Sequence, residues 1–250
     1  MTNPYSTAAS KTKLVCIHGF IDNASLWSTL GAALEKKGFQ WAANDLAGAG
    51  TRQDQSGPYS LARAADEVVD FVKSSDAPVT LIGHSMGAQI AELAAARLGS
   101  KVRALILVTP TPLQGNALPD EVRSMLRNSG GDSVAQAGIR RAFSHNLSDE
   151  QIVLATNEKS IMGRKAVQDY YDAFTGGDPT GEQATACACP VLIIGAKADP
   201  VIAEDLVRSI QQGRFPGSRL ELVGNSGHWP HIEQAEETAE IIAEFLTSVV

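Results

Sequence analysis

Ser85 stands in Gly83-His84-Ser85-Met86-Gly87, between a short apolar run (Val79, Leu81, Ile82) and an Ala-rich helical pattern from Ala88 onward. A Gly-x-Ser-x-Gly between a strand and a helix is the sequence form of a sharp turn that exposes a serine hydroxyl. The pentapeptide alone is weak evidence, and its bland reading is a glycine-rich turn with an ordinary serine; the strand and helix around it supply the context. Glycine at 83 and 87 removes Cβ atoms that would collide in so tight a turn. A serine hydroxyl is a weak nucleophile near neutral pH and needs a base beside it.

His228 is the best candidate base. It lies in Asn225-Ser226-Gly227-His228-Trp229, just after the last strand-like run, at the same predicted sheet edge as Ser85. A base of this kind is oriented by a carboxylate. Thr109 and Thr111 end the fourth strand pattern and are not acids, whereas Asp199 follows the fifth, in Gly195-Ala196-Lys197-Ala198-Asp199-Pro200. Taken singly, these read as a loop histidine and a turn aspartate before proline. Three roles at three strand ends, in the order Ser85, Asp199, His228, are much rarer by accident than any one of them. Acyl transfer also needs backbone donors for an oxyanion. The N–H of Met86 is one candidate. The N–H of Phe20, in His18-Gly19-Phe20 after the first strand, is the other.

These residues require a sheet whose strand ends converge. Strand patterns cover 14–17, 39–44, 79–82, 102–108, 191–194 and 219–223. Helical spacing covers 26–37, 61–72, the stretch from 88, 203–211 and 233–249. Apolar strands without a period of two, alternating with helices, predict an α/β fold with a mostly parallel sheet of about six strands, covered on both faces. From 113 to 186 the pattern is helical only, near 119–127, 133–143, 148–158 and 165–174. This block is expected to be a cap inserted into a core made of 1–112 and 187–250, with the ligand at the carboxyl edge. Residues 1–12 read as a loose tail.

The chain has 250 residues, 44% of them hydrophobic and 20% charged, which suits one soluble α/β domain. Its net charge of −7 argues against nucleic-acid partners and gives no polybasic patch for a membrane. Without an apolar leader or a span-length run, a cytoplasmic location is expected. Cys16 reads as a buried thiol; Cys187 and Cys189 lack further ligands at metal-like spacing, so neither a metal nor a disulfide is expected.

The chain resembles the α/β-hydrolase fold family, and within it small bacterial esterases, lactonases and cofactor-free haloperoxidase-like proteins. The matching stretches are HGF at 18–20, DLAGAG at 45–50, GHSMG at 83–87, Asp199, and GHWPHIEQ at 227–234. The resemblance implies an acyl-serine intermediate hydrolysed by water, without a cofactor. Ala47, Ala49 and Arg52 replace the family's usual proline, histidine and serine, and Ala88 replaces a frequent glycine. The segment before the first strand is too short for the hairpin that often opens this fold.

The leading expectation is a hydrolase of small to medium, largely apolar esters, acting as a monomer or homodimer on a small-molecule substrate. Lactone or carbon–carbon bond hydrolysis, perhydrolysis or a lyase reaction would keep the same triad, and a ligand-binding receptor would be the rival of another class. Ile21, Met86 and Trp229 neighbour the candidate site and are expected to wall it. Tyr170, Tyr171 and Phe174 line the pocket or pack the cap on the core. His18 should support the oxyanion loop, His84 should point away from Ser85, and His231 should pack near the last helix. Asp22 faces the pocket mouth or solvent. Gly48 and Gly50 form only GxG, which does not make a nucleotide site.

Overall fold

The computed structural model describes residues 13–74 and 77–249. The tail predicted for residues 1–12 lies outside them. Among the described residues, six strands form one sheet: β1 (Lys13–Ile17), β2 (Trp41–Ala43), β3 (Val79–His84), β4 (Val102–Val108), β5 (Val191–Ala196) and β6 (Arg219–Val223). Their order is β2-β1-β3-β4-β5-β6, and every pairing is parallel.

The α-helices are α1 (Ser28–Lys36), α2 (Leu61–Lys73), α3 (Met86–Leu98), α4 (Asp120–Arg127), α5 (Ser133–Phe143), α6 (Asp149–Ala155), α7 (Arg164–Gly176), α8 (Glu204–Arg214), α9 (Pro230–Glu233) and α10 (Ala235–Val249). An all-parallel sheet must be covered on both faces, and alternation of side chains along each strand splits its apolar residues between two cores. Leu14 and Cys16 of β1 join Ile82, Ile106 and Ile194 on one face, with Leu30 and Leu34 of α1 and Ile242 and Phe245 of α10. Val15 and Ile17 join Leu81, Leu105 and Ile193 on the other, with Val68 of α2, Ile90 of α3 and Val207 of α8. Burying each such side chain contributes about 1.5–3 kcal/mol. The ion pair from α1 to α10, Lys36–Glu236, is exposed on both sides and adds little beside that.

The chain enters the sheet at β1, moves outward to β2, then crosses back to β3 on the other side of β1. Ligand crevices in parallel sheets open where the strand order reverses in this way. The turns after β1 and β3 therefore meet at that crevice, and they carry Phe20 and Ser85. Between β4 and β5 the described chain is helical only, as α4 to α7 and a short 3₁₀ turn at Pro179–Glu182.

Some boundaries differ from the sequence reading. The second strand pairs only over 41–43, because the chain next turns into a loop held by the Asp45 carboxylate. The first helix opens as a 3₁₀ turn at Ala24–Trp27, capped by the Asn23 side chain. The helix predicted over 148–158 stops at Ala155. The closing helix is split at Gln234, whose backbone (φ −136°, ψ 53°) is not helical. Helix α3 starts at Met86, two residues earlier than its Ala-rich pattern.

The strand-turn-helix at Ser85 leaves no room for side chains beside it. A Cβ on Gly83 would sit 2.2 Å from the Gly87 carbonyl oxygen, and one on Gly87 would sit 2.3 Å from that of Ile17. Backbone cannot yield as a flexible side chain can. In contrast, a Cβ on Gly213, inside α8, would meet nothing within 4 Å. Gly87→Ala should therefore destabilise the protein by about 1–3 kcal/mol or more, while Gly213→Ala should stabilise it by about 0.5–1 kcal/mol. Urea-unfolding midpoints should move in opposite directions for the two variants. Equal midpoints would contradict this account of the turn.

Candidate active site

The site is assembled from the carboxyl ends of β1, β3, β5 and β6. Ser85 follows β3 directly, at φ +53° and ψ −118°, and its N–H bonds to the Val108 carbonyl of β4. Ile21 and Thr109, after β1 and β4, also have positive φ, at 55° and 40°. Left-handed backbone is costly for β-branched residues and survives where the surroundings over-determine it, as they do around functional sites.

Three side chains far apart in sequence meet here. His228 Nε2 lies 3.0 Å from Ser85 Oγ, and His228 Nδ1 lies 2.7 Å from Asp199 Oδ2. A carboxylate only accepts, so Nδ1 carries the hydrogen and Nε2 is left to accept the serine proton. The other carboxylate oxygen, Oδ1, accepts from the N–H groups of Val201 and Ile202. All three residues are less than 10% exposed. Burial pulls the His228 pKa down, but the charge and hydrogen bond of Asp199 outweigh it and leave the pKa above the ordinary imidazole value. Burial raises Asp199 in turn, and His228 with the two N–H groups more than reverses this.

Ser85 and His228 open onto a narrow cavity. Phe20, Ile21, Phe174 and Trp229 line it, together with Leu118, Leu126 and Ile139 from the helical segment. Asn116 and Thr111 are the other polar residues on its wall. A larger cavity beside α3 and α8 touches neither Ser85 nor His228; the buried pair Arg214–Glu92 borders it. Met86 is the first residue of α3, so its N–H has no acceptor within the helix. Phe20 sits in the turn after β1. Gly19 must be glycine there, because its Cβ would lie 2.7 Å from His84 Nδ1.

The aromatic residues of α7 divide. Phe174 lines the cavity. Tyr171 lies behind it, edge-on to both Phe20 and Phe174. Tyr170 is turned away, packed on Tyr59 with its hydroxyl donating to the Ala47 carbonyl. His18 accepts from the Leu46 N–H at Nε2 and donates from Nδ1 to the Gly19 carbonyl, so it braces the loop that carries Phe20. His231 is buried, stacked on Trp27 and against His84.

Asp22 faces neither the pocket mouth nor solvent. It is 1% exposed, accepting from Arg140 Nη2 at 3.0 Å and from Trp229 Nε1 at 3.0 Å, with His84 Nδ1 3.4 Å away. Burial alone would raise its pKa; the Arg140 guanidinium and the Trp229 N–H hold it well below the usual carboxylate range. Burial keeps His84 itself below the ordinary imidazole value, so Arg140 is the standing counter-charge. His84 does point away from Ser85: its Nε2 donates to the His228 carbonyl, which also accepts from Thr109 Oγ1.

A second carboxylate holds the same loop. Glu233 accepts from the N–H groups of Gly227 and Trp229 on one side and of His145 and Asn146 on the other. The His228 N–H adds a bond to the Phe143 carbonyl. The end of α5 is thereby fastened to the His228 loop. Sequence reasoning missed Arg140 and Glu233 and left Asp22 undecided. The only signal was a carboxylate, Glu233, five residues after His228, close enough in sequence to reach back to that loop.

Among the described residues, no cluster of three or more His, Cys, Asp or Glu side chains could hold a metal ion, and no helix is long and apolar enough to cross a membrane.

Residues 13–235 match the model of the alpha/beta hydrolase fold. A monoacylglycerol lipase of Homo sapiens is 24% identical over 264 residues, covering 96% of this chain and 76% of its own. The structure of a bromoperoxidase from Bacillus anthracis superposes with a TM-score of 0.85 at 17% identity, over 95% of this chain and 92% of that one. An esterase from Exiguobacterium antarcticum gives 0.81 at 22% identity, again over 95% and 92%. With the family model spanning most of its length and the same sheet beneath it, the chain belongs to the α/β hydrolase fold family.

Proposed function

We propose that the protein is a serine hydrolase that cleaves carboxylic esters with small to medium, largely apolar acyl groups. The observation that carries this reading is the continuous chain of contacts from Asp199 through His228 to Ser85 at the floor of an apolar cavity. In this mechanism Ser85 Oγ attacks the acyl carbon while His228 Nε2 takes its proton. The Met86 and Phe20 N–H groups bind the oxyanion. His228 returns the proton to the leaving alcohol, and water then releases the acid by the same route. Asp199 holds the imidazole tautomer and stabilises its charge without becoming protonated. The segment from 113 to 186 acts as a cap, supplying apolar wall to the acyl site. No cofactor is required, and the partner is the small-molecule substrate alone.

A panel of p-nitrophenyl esters of increasing acyl length tests this reading. The wild type should hydrolyse the shorter ones, and Ser85→Ala should lower kcat at least about 10³-fold with its thermal unfolding unchanged. Undiminished turnover by Ser85→Ala would remove the proposal.

The pH dependence follows from the raised His228 pKa. Only the neutral imidazole can take a proton, so kcat/KM should rise with pH through a midpoint above 6.5, the ordinary imidazole value. Asp199→Asn removes the charge that raises this pKa and leaves the burial that lowers it. In that variant the midpoint should move to lower pH and kcat should fall about 10³–10⁴-fold. A limb that stays in place would show that Asp199 does not act on His228.

A further inference from the structure

Cys187 and Cys189 lie outside the site described above, on the segment that carries the chain from the 3₁₀ turn at 179–182 into β5. Exposure alternates along this segment. Ala184, Ala186 and Ala188 face solvent, while Thr185, Cys187 and Cys189 are half-buried and turned to the same side. Two residues of extended chain span about 6.6–6.8 Å, the upper edge of the Cα separation a disulfide accepts. The chain bends at Cys189, and the two Sγ atoms are 2.9 Å apart. Neither is bonded to anything else covalently; both are free thiols. Both border an opening to solvent shared with Arg214 and Pro216. Spacing alone gave this pair no role, because it does not show that a bend brings the sulfurs into contact.

The two sulfurs are not equivalent. Either sulfur can donate in this contact; with Cys189 donating, the Cys187 pKa is lowered and that of Cys189 is raised. The Cys187 N–H is held by Thr185 Oγ1, whose own hydroxyl bonds to the buried Glu92. A more acidic, accessible thiol beside a second thiol has the arrangement of an attacking and a resolving cysteine. Cys16, the third cysteine, is enclosed in β1, and burial pushes its thiol far up.

We propose that Cys187 and Cys189 form an oxidisable dithiol that closes into an intramolecular disulfide when it meets a hydroperoxide. The Cys187 thiolate attacks a peroxide oxygen, the O–O bond breaks, and the leaving oxygen takes a proton to depart as water or an alcohol. The resulting sulfenic acid is attacked by the Cys189 sulfur. The S–O bond breaks, water leaves, and the S–S bond forms. Two thiols lose two electrons and two protons, and one peroxide is reduced. A ring spanning a single intervening residue removes little chain entropy, so its value is chemical rather than stabilising.

The test uses the full-length, fully reduced protein and hydrogen peroxide. Thiols are counted after denaturation, intact mass is measured, and the digest is mapped. Of three free thiols one should remain. The intact mass should drop by two hydrogens, with the loss confined to the peptide holding both Cys187 and Cys189. Dithiothreitol should restore it. Cys189→Ser should prevent the loss and let Cys187 gain oxygen instead, and the melting temperature of this half-exposed substitution should match the wild type. The proposal is overturned if peroxide leaves all three thiols intact, adds oxygen to wild-type Cys187, links two protein molecules, or pairs either residue with Cys16.

Discussion

The contact between Asp199 and His228 is 2.7 Å long and closed off from bulk water. A carboxylate buried without partners is expensive, and so is an imidazolium. Each offsets the other's burial, and the N–H groups of Val201 and Ile202 satisfy the remaining carboxylate oxygen. Once this pair is fixed, the tautomer of His228 is fixed, and its free nitrogen points at Ser85. The strained backbone at Ser85 and the glycines on either side then become intelligible. They bring one hydroxyl to the one nitrogen that can take its proton.

A loop must hold His228 to within a few tenths of an ångström for this to work, and loops are the least rigid part of a fold. Here two carboxylates immobilise it, Asp22 fully buried and Glu233 half-buried. Asp22 reaches the loop through Trp229, and Glu233 reaches it through the Gly227 and Trp229 N–H groups. Both also grip the helical segment, Asp22 through Arg140 and Glu233 through His145 and Asn146. Buried ion pairs add little net stability, but losing one partner costs about 3–5 kcal/mol. Asp22 and Glu233 act here as positional locks that tie the wall of the cavity to the His228 loop.

The fold was readable because its strands are apolar and its connections helical, a pattern only a sheet covered on both faces can satisfy. Ser85, Asp199 and His228 were readable because each sits in a short loop right after a strand, and strand ends of a parallel sheet gather at one edge. Asp22 and Glu233 were not readable in this way. Their partners, Arg140 and the N–H groups of 145 and 146, belong to the helical segment, whose docking depends on side-chain fit rather than on any sequence period. The separate fates of Tyr170, Tyr171 and Phe174 have the same origin. Helical spacing places all three on one side of α7, but only packing against Phe20 and Tyr59 decides which of them reaches the cavity.

The central claim is that His228 activates Ser85 and no other serine. Labelling with a fluorophosphonate measures this directly, because the probe bonds only to an activated hydroxyl. One adduct should form, on the peptide containing Ser85, at a rate that falls as His228 is protonated and is lost in His228→Ala. Labelling at a different serine, or an unchanged rate in His228→Ala, would contradict the account.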